Sequence, residues 1–295
     1  MKCIICLKED VQLTKEHIIP EALGNQSFVL NCVCKKCNSL LGDKIDSANC
    51  NNILAQFHRK ENKIYGKAKK LPNPFKQGET DDGRQVRVSE DFKPTFVDKV
   101  EKTENGYHIQ TSTPQQAVKI INTILKRKGR SPLSEEQENK VLAKETTKIH
   151  PEINFEFEFN FLKYQLELVK IAYEALYYAF GEKILLDKKV QTLREIIYDC
   201  IYNDKMDAKK LAQFAGSISE KELTSNMKKI KKQMPILQSV HLVSIVPRNN
   251  SEIIIMIIVE GMLPGAVKID RPEFLDQYSE WMRLITFPDI GLSDL

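Results

Sequence analysis

Hydrophobic and polar positions alternate most strictly near the middle of the chain. Between residues 153 and 161, Ile or Phe occupies every second position, and Asn or Glu fills the positions between them. A period of two is typical of a strand with one buried face, so we predict a strand over 153–161 with its phenylalanines in the core. The mostly apolar run at 166–180 predicts a buried helix, which Gly181 ends as its C′ residue.

The same kind of pattern predicts the other elements of the chain. Thr113 and Pro114 have the residue types of a helix start, and apolar positions from 118 to 125 then fall on one face. Ser134 begins another helix with a capping box. Further patterns predict strands at 85–88, 94–97 and 107–110, helices at 190–202, 208–214 and 220–234, and strands at 240–246, 252–259 and 267–269. We therefore predict an α+β fold.

The first 62 residues differ from the rest of the chain. They contain six of the seven cysteines and few long apolar periods. A hairpin-sized stretch precedes two predicted helical runs, from residue 38 toward 46 and from 53 to 62. A chain of 295 residues suits two domains. We place a small N-terminal domain at 1–62 and a larger α+β accessory domain at 63–295, which a further boundary near 150 would divide.

The overall charge is modest, because 44 basic residues face 40 acidic ones for a net charge of +4. This excludes a histone-like polycation but leaves room for a local basic surface. One candidate for phosphate binding is the cluster of Lys126, Arg127, Lys128 and Arg130, and another is the basic run at 228–232. A solvated helix end is the alternative interpretation of each cluster.

No apolar run approaches the ~18 residues that a membrane helix needs. The apolar stretch at the N-terminus is also too short for a signal peptide. We therefore expect a cytoplasmic protein that makes no membrane contact.

Four cysteines have the spacing of a metal site. In a reducing cytosol, clustered cysteines indicate metal binding rather than disulfides, and a two-residue gap lets both thiolates of a pair reach one Zn²⁺. Cys32 could compete as a ligand but has poorer spacing, so Cys32, Cys50 and Cys200 are interpreted as non-ligands. The sequence thus predicts one structural Zn²⁺ held by Cys3, Cys6, Cys34 and Cys37.

The segment between these cysteine pairs, and the residue after them, carry candidate chemistry. Glu16 and His17 are adjacent, so on a strand one could bind a metal while the other faces a substrate. Asn38 directly follows Cys37, where zinc would fix the start of a helix and the Asn38 oxygen could reach a hard cation such as Mg²⁺. Taken singly, these residues are more often a surface pair and a helix cap.

Together, the cysteine pairs, Glu16-His17, Pro20 and Asn38 resemble the zinc-stapled HNH (ββα-metal) endonucleases. That family includes Holliday-junction-resolving phage nucleases and bacterial restriction and defence nucleases. The resemblance covers about residues 1–50. It implies that Glu16 and Asn38 bind a catalytic divalent ion, Mg²⁺ or Mn²⁺, and that His17 is the general base.

The resemblance leaves two positions open. For the middle motif residue we favour Asn31, whose side chain would brace the hairpin or hold His17, over its rival Asn25. Asp46 resembles an acidic residue of close relatives and would support the metal or cap the loop. The chain departs from the family in having Glu rather than Asp at position 16, and in a short stretch from Pro20 to Cys34.

These observations predict a metal-dependent endonuclease that hydrolyses DNA, most readily double-stranded DNA, in bacterial antiviral defence or restriction. One alternative is a zinc-ribbon protein that binds nucleic acid without cleaving it. Another is an HNH nuclease that acts on RNA or on structured DNA. We expect residues 63–295 to serve DNA targeting, dimerisation or sensing, and a homodimer is one expectation for the assembly.

Overall fold

The computed structural model describes residues 2–66, 69–104, 106–144, 151–217 and 241–278, together with the backbone of 285–289. The chain forms two compact units, one built from Met1–Pro72 and Glu158–Leu295 and the other from Asn73–Phe157. Helices and strands are mixed, which confirms the predicted α+β class. The predicted domain boundary after residue 62 stays a prediction. The helix predicted at 220–234 lies outside the described residues.

The N-terminal segment is a hairpin followed by helices. Its elements are strands β1 (Leu13–His17) and β2 (Val29–Cys34) and helices α1 (Lys35–Leu41), α2 (Ser47–Cys50) and α3 (Ile53–Glu61). The two strands are antiparallel, with His17 opposite Val29, and their register shifts between Thr14 and Glu16. A π-helical turn at Gly42–Asp46 joins α1 to α2. The segment therefore has the strand–strand–helix order that the family resemblance implies.

The second compact unit contains short strands and two helices. They are β3 (Gln77–Thr80), β4 (Gln85–Val88), β5 (Pro94–Phe96), β6 (Lys99–Thr103), β7 (Gly106–Gln110), α4 (Pro114–Arg127), α5 (Glu135–Leu142) and β8 (Ile153–Asn154). One sheet has the strand order β5-β4-β3-β8, and β6 pairs with β7 as a separate hairpin. Thr113 and Ser134 cap α4 and α5 as their residue types predict.

The strand predicted over 153–161 is wrong for most of its length. Only Ile153–Asn154 is a strand, and a helix already begins at Phe161. The rings of Phe155 and Phe157 instead pack near Phe75, with centroids 4.9 and 6.1 Å from it, and Phe157 stays 48% exposed. The alternation thus reflects an aromatic cluster in irregular chain, which periodicity alone does not distinguish from a strand.

The remaining elements pack a five-stranded sheet against helices. They are α6 (Phe161–Phe180), α7 (Lys188–Asn203), α8 (Ala208–Phe214), β9 (Ala215–Ser217), β10 (His241–Pro247), β11 (Glu252–Ile258), β12 (Gly265–Asp270) and β13 (Ile285–Asp289). The antiparallel sheet has the order β13-β10-β11-β12-β9. Strands β10, β11 and β12 were predicted from hydrophobic runs, whereas the sequence analysis did not identify β9 and β13.

Helix α6 lies at the centre of the first compact unit, with nearly every residue from Tyr164 to Leu176 buried. Its Tyr173 hydroxyl donates to the carbonyl of Ile4 at 2.7 Å, so it reaches the N-terminal segment directly. Where α6 faces the sheet, a Cβ at Gly265 would lie 2.5 Å from the Tyr164 hydroxyl. The glycine therefore allows β12 to pack closely against α6. Within the described residues, no helix combines the length and apolar character needed to cross a membrane.

Candidate active site

The four predicted zinc ligands come together. The sulfurs of Cys3, Cys6, Cys34 and Cys37 all lie within 4.8 Å of one another, and those of Cys6 and Cys34 are 3.8 Å apart. Four sulfurs at about 2.3 Å from a tetrahedral Zn²⁺ are separated by about 3.8 Å, so the group is placed to hold one Zn²⁺. The hydrogen bond between Cys3 and Cys37 lowers the pKa of Cys3 to about 4 and raises the pKa of Cys37, so Cys3 is favoured as the thiolate and Cys37 as the thiol until a metal displaces the proton. Cys32, Cys50 and Cys200 are buried outside this group.

Residues far along the chain hold this cysteine group in place. The hydroxyl of Tyr202 on α7 lies 3.2 Å from the sulfur of Cys37. Arg194, also on α7, donates to the carbonyl of Ile5 at 3.1 Å. The backbone around the first cysteine pair is therefore fixed both from within the hairpin and from α7.

Glu16 and His17 end strand β1 and differ in exposure. Glu16 is only 4% exposed, and burial raises its pKa although the neighbouring Lys170 opposes this shift. His17 is partly exposed, and partial burial lowers its pKa below the ordinary value of 6.5. His17 is therefore neutral at neutral pH, the form in which an imidazole can accept a proton.

Lys170 of α6 is a member of the site that the sequence analysis missed. Its ammonium lies 3.0 Å from Glu16 and 3.0 Å from Asp46, and 3.8 Å from Glu174. It also donates to the carbonyl of His17 at 3.1 Å. Burial lowers the pKa of Lys170, but the surrounding carboxylates outweigh burial and raise it well above the ordinary value. A fully buried, charged lysine thus ties α6 to the strand that carries Glu16 and His17.

Asn38 and Asp46 reach the same region from the helices after the hairpin. The Asn38 amide donates to the carbonyl of Lys15 at 2.7 Å, which ties α1 to β1 and leaves the amide oxygen as the group available to a cation. Asp46 ends the π-helical turn, and π-helical turns recur at functional sites. Its carboxylate contacts Lys170, so its position is coupled to that of Glu16.

The hairpin is braced by Asn25 and not by Asn31. Asn25 is fully buried and donates to the carbonyls of Ile19 and Phe28 at 2.6 and 2.9 Å. Its side-chain oxygen also accepts from the amide of Phe28 at 2.9 Å. Asn31 is exposed on β2, because it alternates with the buried Leu30 and Cys32 on the other face. Asn25 therefore braces the hairpin, and the role of Asn31 as the middle motif residue stays a prediction.

These residues open onto one cleft of about 910 Å³ in the first compact unit. Glu16, His17, Asn38 and Asp46 all line it. The other side chains around it include both acids and bases: Lys15, Glu21, Asp43, Arg59 and Lys70. The cleft thus brings together the predicted base, the predicted metal ligands and several charged groups.

The predicted nucleic-acid-binding cluster lies in the second compact unit. Lys126, Arg127, Lys128 and Arg130 are all exposed at or just beyond the end of α4. The Lys128 ammonium lies 4.6 Å from the ring centroid of Tyr107. Their role in binding stays a prediction, and the basic run at 228–232 lies outside the described residues.

The hairpin, the four-cysteine group and the helix that follows form a ββα unit with a candidate zinc site. Residues 3–57 match the family model described as HNH endonuclease, which confirms the resemblance drawn from the motifs. No curated protein and no solved structure gives a significant match to the chain. The chain therefore carries an HNH endonuclease domain at residues 3–57, and a nuclease domain implies a nucleic-acid substrate.

Proposed function

We propose that the chain is a metal-dependent endonuclease that hydrolyses phosphodiester bonds in double-stranded DNA. The observation that carries this proposal is the place of His17, neutral and partly exposed on the cleft at the end of β1. The family match supports nuclease chemistry. Duplex DNA as substrate, and a part in bacterial restriction or antiviral defence, rest on the resemblance to nucleases of those systems.

The cleft offers the donor set of a hard divalent ion. Glu16, Asn38 and Asp46 present oxygens, the ligands that Mg²⁺ and Mn²⁺ prefer. One oxygen of Glu16 and one of Asp46 contact Lys170, and Asp46 also interacts with Glu167. Glu16 and Asn38 would hold the ion, with Asp46 in support. When bound, such an ion supplies charge neutralisation at the scissile phosphate and at the leaving oxygen.

The residues of the chain then have separate tasks. His17 would accept a proton from the water that attacks phosphorus in line with the leaving 3′ oxygen. Lys170, through the His17 carbonyl, and Asn38, through the Lys15 carbonyl, fix the end of β1 and so the position of the imidazole. Asn25 closes the loop that follows. The zinc group has a structural task only.

Two other functions stay alternatives. A zinc-ribbon protein that only binds nucleic acid has no need of a neutral histidine on a cleft beside two carboxylates, so His17 argues against it. An HNH nuclease acting on RNA or on branched DNA would use the same residues. Cleavage of different nucleic acids distinguishes these alternatives.

The test is cleavage by the full chain, loaded with zinc, in the presence of Mg²⁺ or Mn²⁺. The substrates are duplex, branched and single-stranded DNA, and RNA. We expect cleavage of duplex DNA, and we expect His17→Ala to lower its rate by about 10²–10⁴-fold because general-base catalysis contributes about that much.

The matched control is His108→Ala, since His108 is an exposed histidine in the second compact unit. It should cleave at the wild-type rate. If His17→Ala also cleaves at that rate, His17 is not the base. If the wild-type chain cleaves none of the substrates, the proposed function is wrong.

A further inference from the structure

One cation of the cleft is buried, unlike its neighbours. Lys15 and Lys70 line the cleft as exposed side chains, whereas Arg59 on α3 is only 7% exposed. Arg59 lies beyond the residues matched by the family model, which end at 57. Its guanidinium is therefore a feature of the cleft that the HNH motif does not explain.

This guanidinium has few partners. Nη1 donates to the carbonyl of Cys50 at a long 3.3 Å, and the buried Nε has no hydrogen-bond partner among the described residues. Within the same part of the chain, no carboxylate lies within ion-pair distance of Arg59. Lys170 is the contrast, because it is buried with three carboxylates within 3.8 Å.

A buried charge without a counter-ion lowers the stability of the fold. An arginine also has five N–H donors to satisfy, and most of those on Arg59 have no partner in the described residues. An anion that enters from outside would supply both a counter-charge and acceptors for these donors. Because Arg59 lines the cleft, that anion can reach it.

The backbone at Gly66 lies close to this guanidinium. A Cβ at Gly66 would lie 2.7 Å from Nη2 of Arg59, so a larger residue there would displace the end of the Arg59 side chain. The amide of Ile64 donates to the carbonyl of Arg59 at 2.8 Å. The backbone at Gly66 thus lies against one side of the guanidinium. Arg59 also lines the cleft.

The chemistry of the cleft identifies the class of anion. A phosphodiester presents two non-bridging oxygens that match the two-pronged guanidinium, and arginine recognises phosphate in this way. The same cleft contains the candidate base His17. We propose that Arg59 binds a backbone phosphate of the nucleic-acid substrate inside the cleft, beside the phosphate that is cut. This inference rests on the proposed function, since it takes the substrate of the same site.

The binding test uses the full, zinc-loaded chain carrying His17→Ala, so that bound DNA stays intact. Fluorescence anisotropy with a short labelled duplex measures the Kd over a range of salt concentrations. Arg59→Gln should raise the Kd about 10-fold to 100-fold, the loss expected for charge-assisted hydrogen bonds. The slope of log Kd against log salt should fall by about 0.9, the effect of one lost phosphate contact. The Kd of Arg59→Lys should lie between that of Arg59→Gln and that of the parent chain with Arg59.

The control is Lys60→Gln on the same helix, which removes the same charge from a residue that does not line the cleft. It should change the Kd by less than about 3-fold, as a general electrostatic effect would. An equal loss in Arg59→Gln and Lys60→Gln, or no loss in either, overturns the proposal.

Thermal unfolding without DNA separates binding from folding. A residue kept for stability lowers the Tm when replaced, but removal of an unpaired buried charge should leave the Tm of Arg59→Gln equal to or above that of its parent. If Arg59→Gln has both a higher Kd and a lower Tm, the role of Arg59 is to stabilise the fold, and the proposal is overturned.

The failure of this inference is distinguishable from failure of the proposed function. If the wild-type chain cuts no nucleic acid but DNA binding depends on Arg59, nuclease activity is wrong and the phosphate site stands. If the wild-type chain cuts DNA and Arg59→Gln cuts with the same KM, the phosphate site is wrong and the nuclease stands.

Discussion

The clearest contrast at the residue scale is between two asparagines of the hairpin. Asn25 uses both its donor and its acceptor groups on buried backbone, whereas Asn31 is exposed on β2. The side chain of Asn25 thus holds the loop between the two strands closed by hydrogen bonds to its backbone. The geometry of this loop determines where β1 ends, and therefore where His17 lies.

We predict that Asn25→Ala lowers the free energy of unfolding by about 2–3 kcal/mol, because it leaves buried backbone groups without partners. Asn31→Ala, the control, should change it by less than about 0.5 kcal/mol, as exposed substitutions do. Urea unfolding followed by circular dichroism measures both values. Equal effects in the two variants would contradict the assignment of the bracing role to Asn25.

Part of this contrast could have been predicted from the sequence. Asn31 lies between Leu30 and Cys32, and strand alternation already places such a residue on the polar face. The fit of Asn25 could not be predicted, because it depends on how a short loop folds back onto the carbonyls of Ile19 and Phe28. Identities and spacing predict which residues carry the chemistry, whereas only the loop geometry shows that Asn25 braces the hairpin.

Helix α6 shows the same division at the element scale. The apolar run predicts a buried helix, and its three buried charges, Glu167, Lys170 and Glu174, have the spacing of one helix face. That spacing indicates a cluster of buried charges but does not identify its partners. The partners of Lys170 outside the helix, Glu16 and Asp46, lie more than a hundred residues away in the chain. Such a pairing follows from the fold and not from any local pattern.

Lys170→Met should lower the free energy of unfolding by about 3–5 kcal/mol, since it leaves buried carboxylates without their cation. It should also lower the rate of cleavage, because the end of β1 loses the hydrogen bond from Lys170 to the His17 carbonyl. Uncompensated carboxylates are tolerated when protonated, so the loss of stability should grow as the pH rises. Denaturant unfolding at several pH values measures this.

Lys188→Met is the control, since Lys188 is an exposed lysine at the start of α7. It should unfold as the wild type does at every pH. A Lys170→Met chain that is as stable as this control, with the same pH dependence, would show that the buried carboxylates do not need their cation.

At the scale of the whole molecule, the four-cysteine group packs into the same hydrophobic core as helices α6 and α7. The hydrophobic core includes Cys3, Ile4 and Ile5 together with residues of α6 and α7. Tyr173, Arg194 and Tyr202 also contact the region around the cysteine pairs. The cysteine spacing predicted the metal site, but no local pattern predicted that distant helices would hold it.

The full chain should bind one Zn²⁺, and Cys37→Ser should bind less and lose DNA cleavage, because a three-cysteine site lacks one ligand of the closed tetrahedron. Cys32→Ala is the control and should keep its zinc, since Cys32 lies outside the four-sulfur group. Metal analysis of the purified variants measures both. Zinc loss in Cys32→Ala with retention in Cys37→Ser would reverse the assignment of ligands.

The discontinuous first compact unit has a consequence for synthesis. A ribosome releases the cysteine pairs and His17 first, but α6 and α7, which cover and brace them, end only at Asn203. At ~5–20 residues per second the interval from residue 62 to that point lasts roughly 7–28 s. Until residue 170 is made, Glu16 and Asp46 have no lysine between them. Until α7 is complete, the hairpin lacks the helices against which it packs. We expect the nascent chain to be inert until both helices have been made, so that the proposed cleavage activity arises only after residue 203.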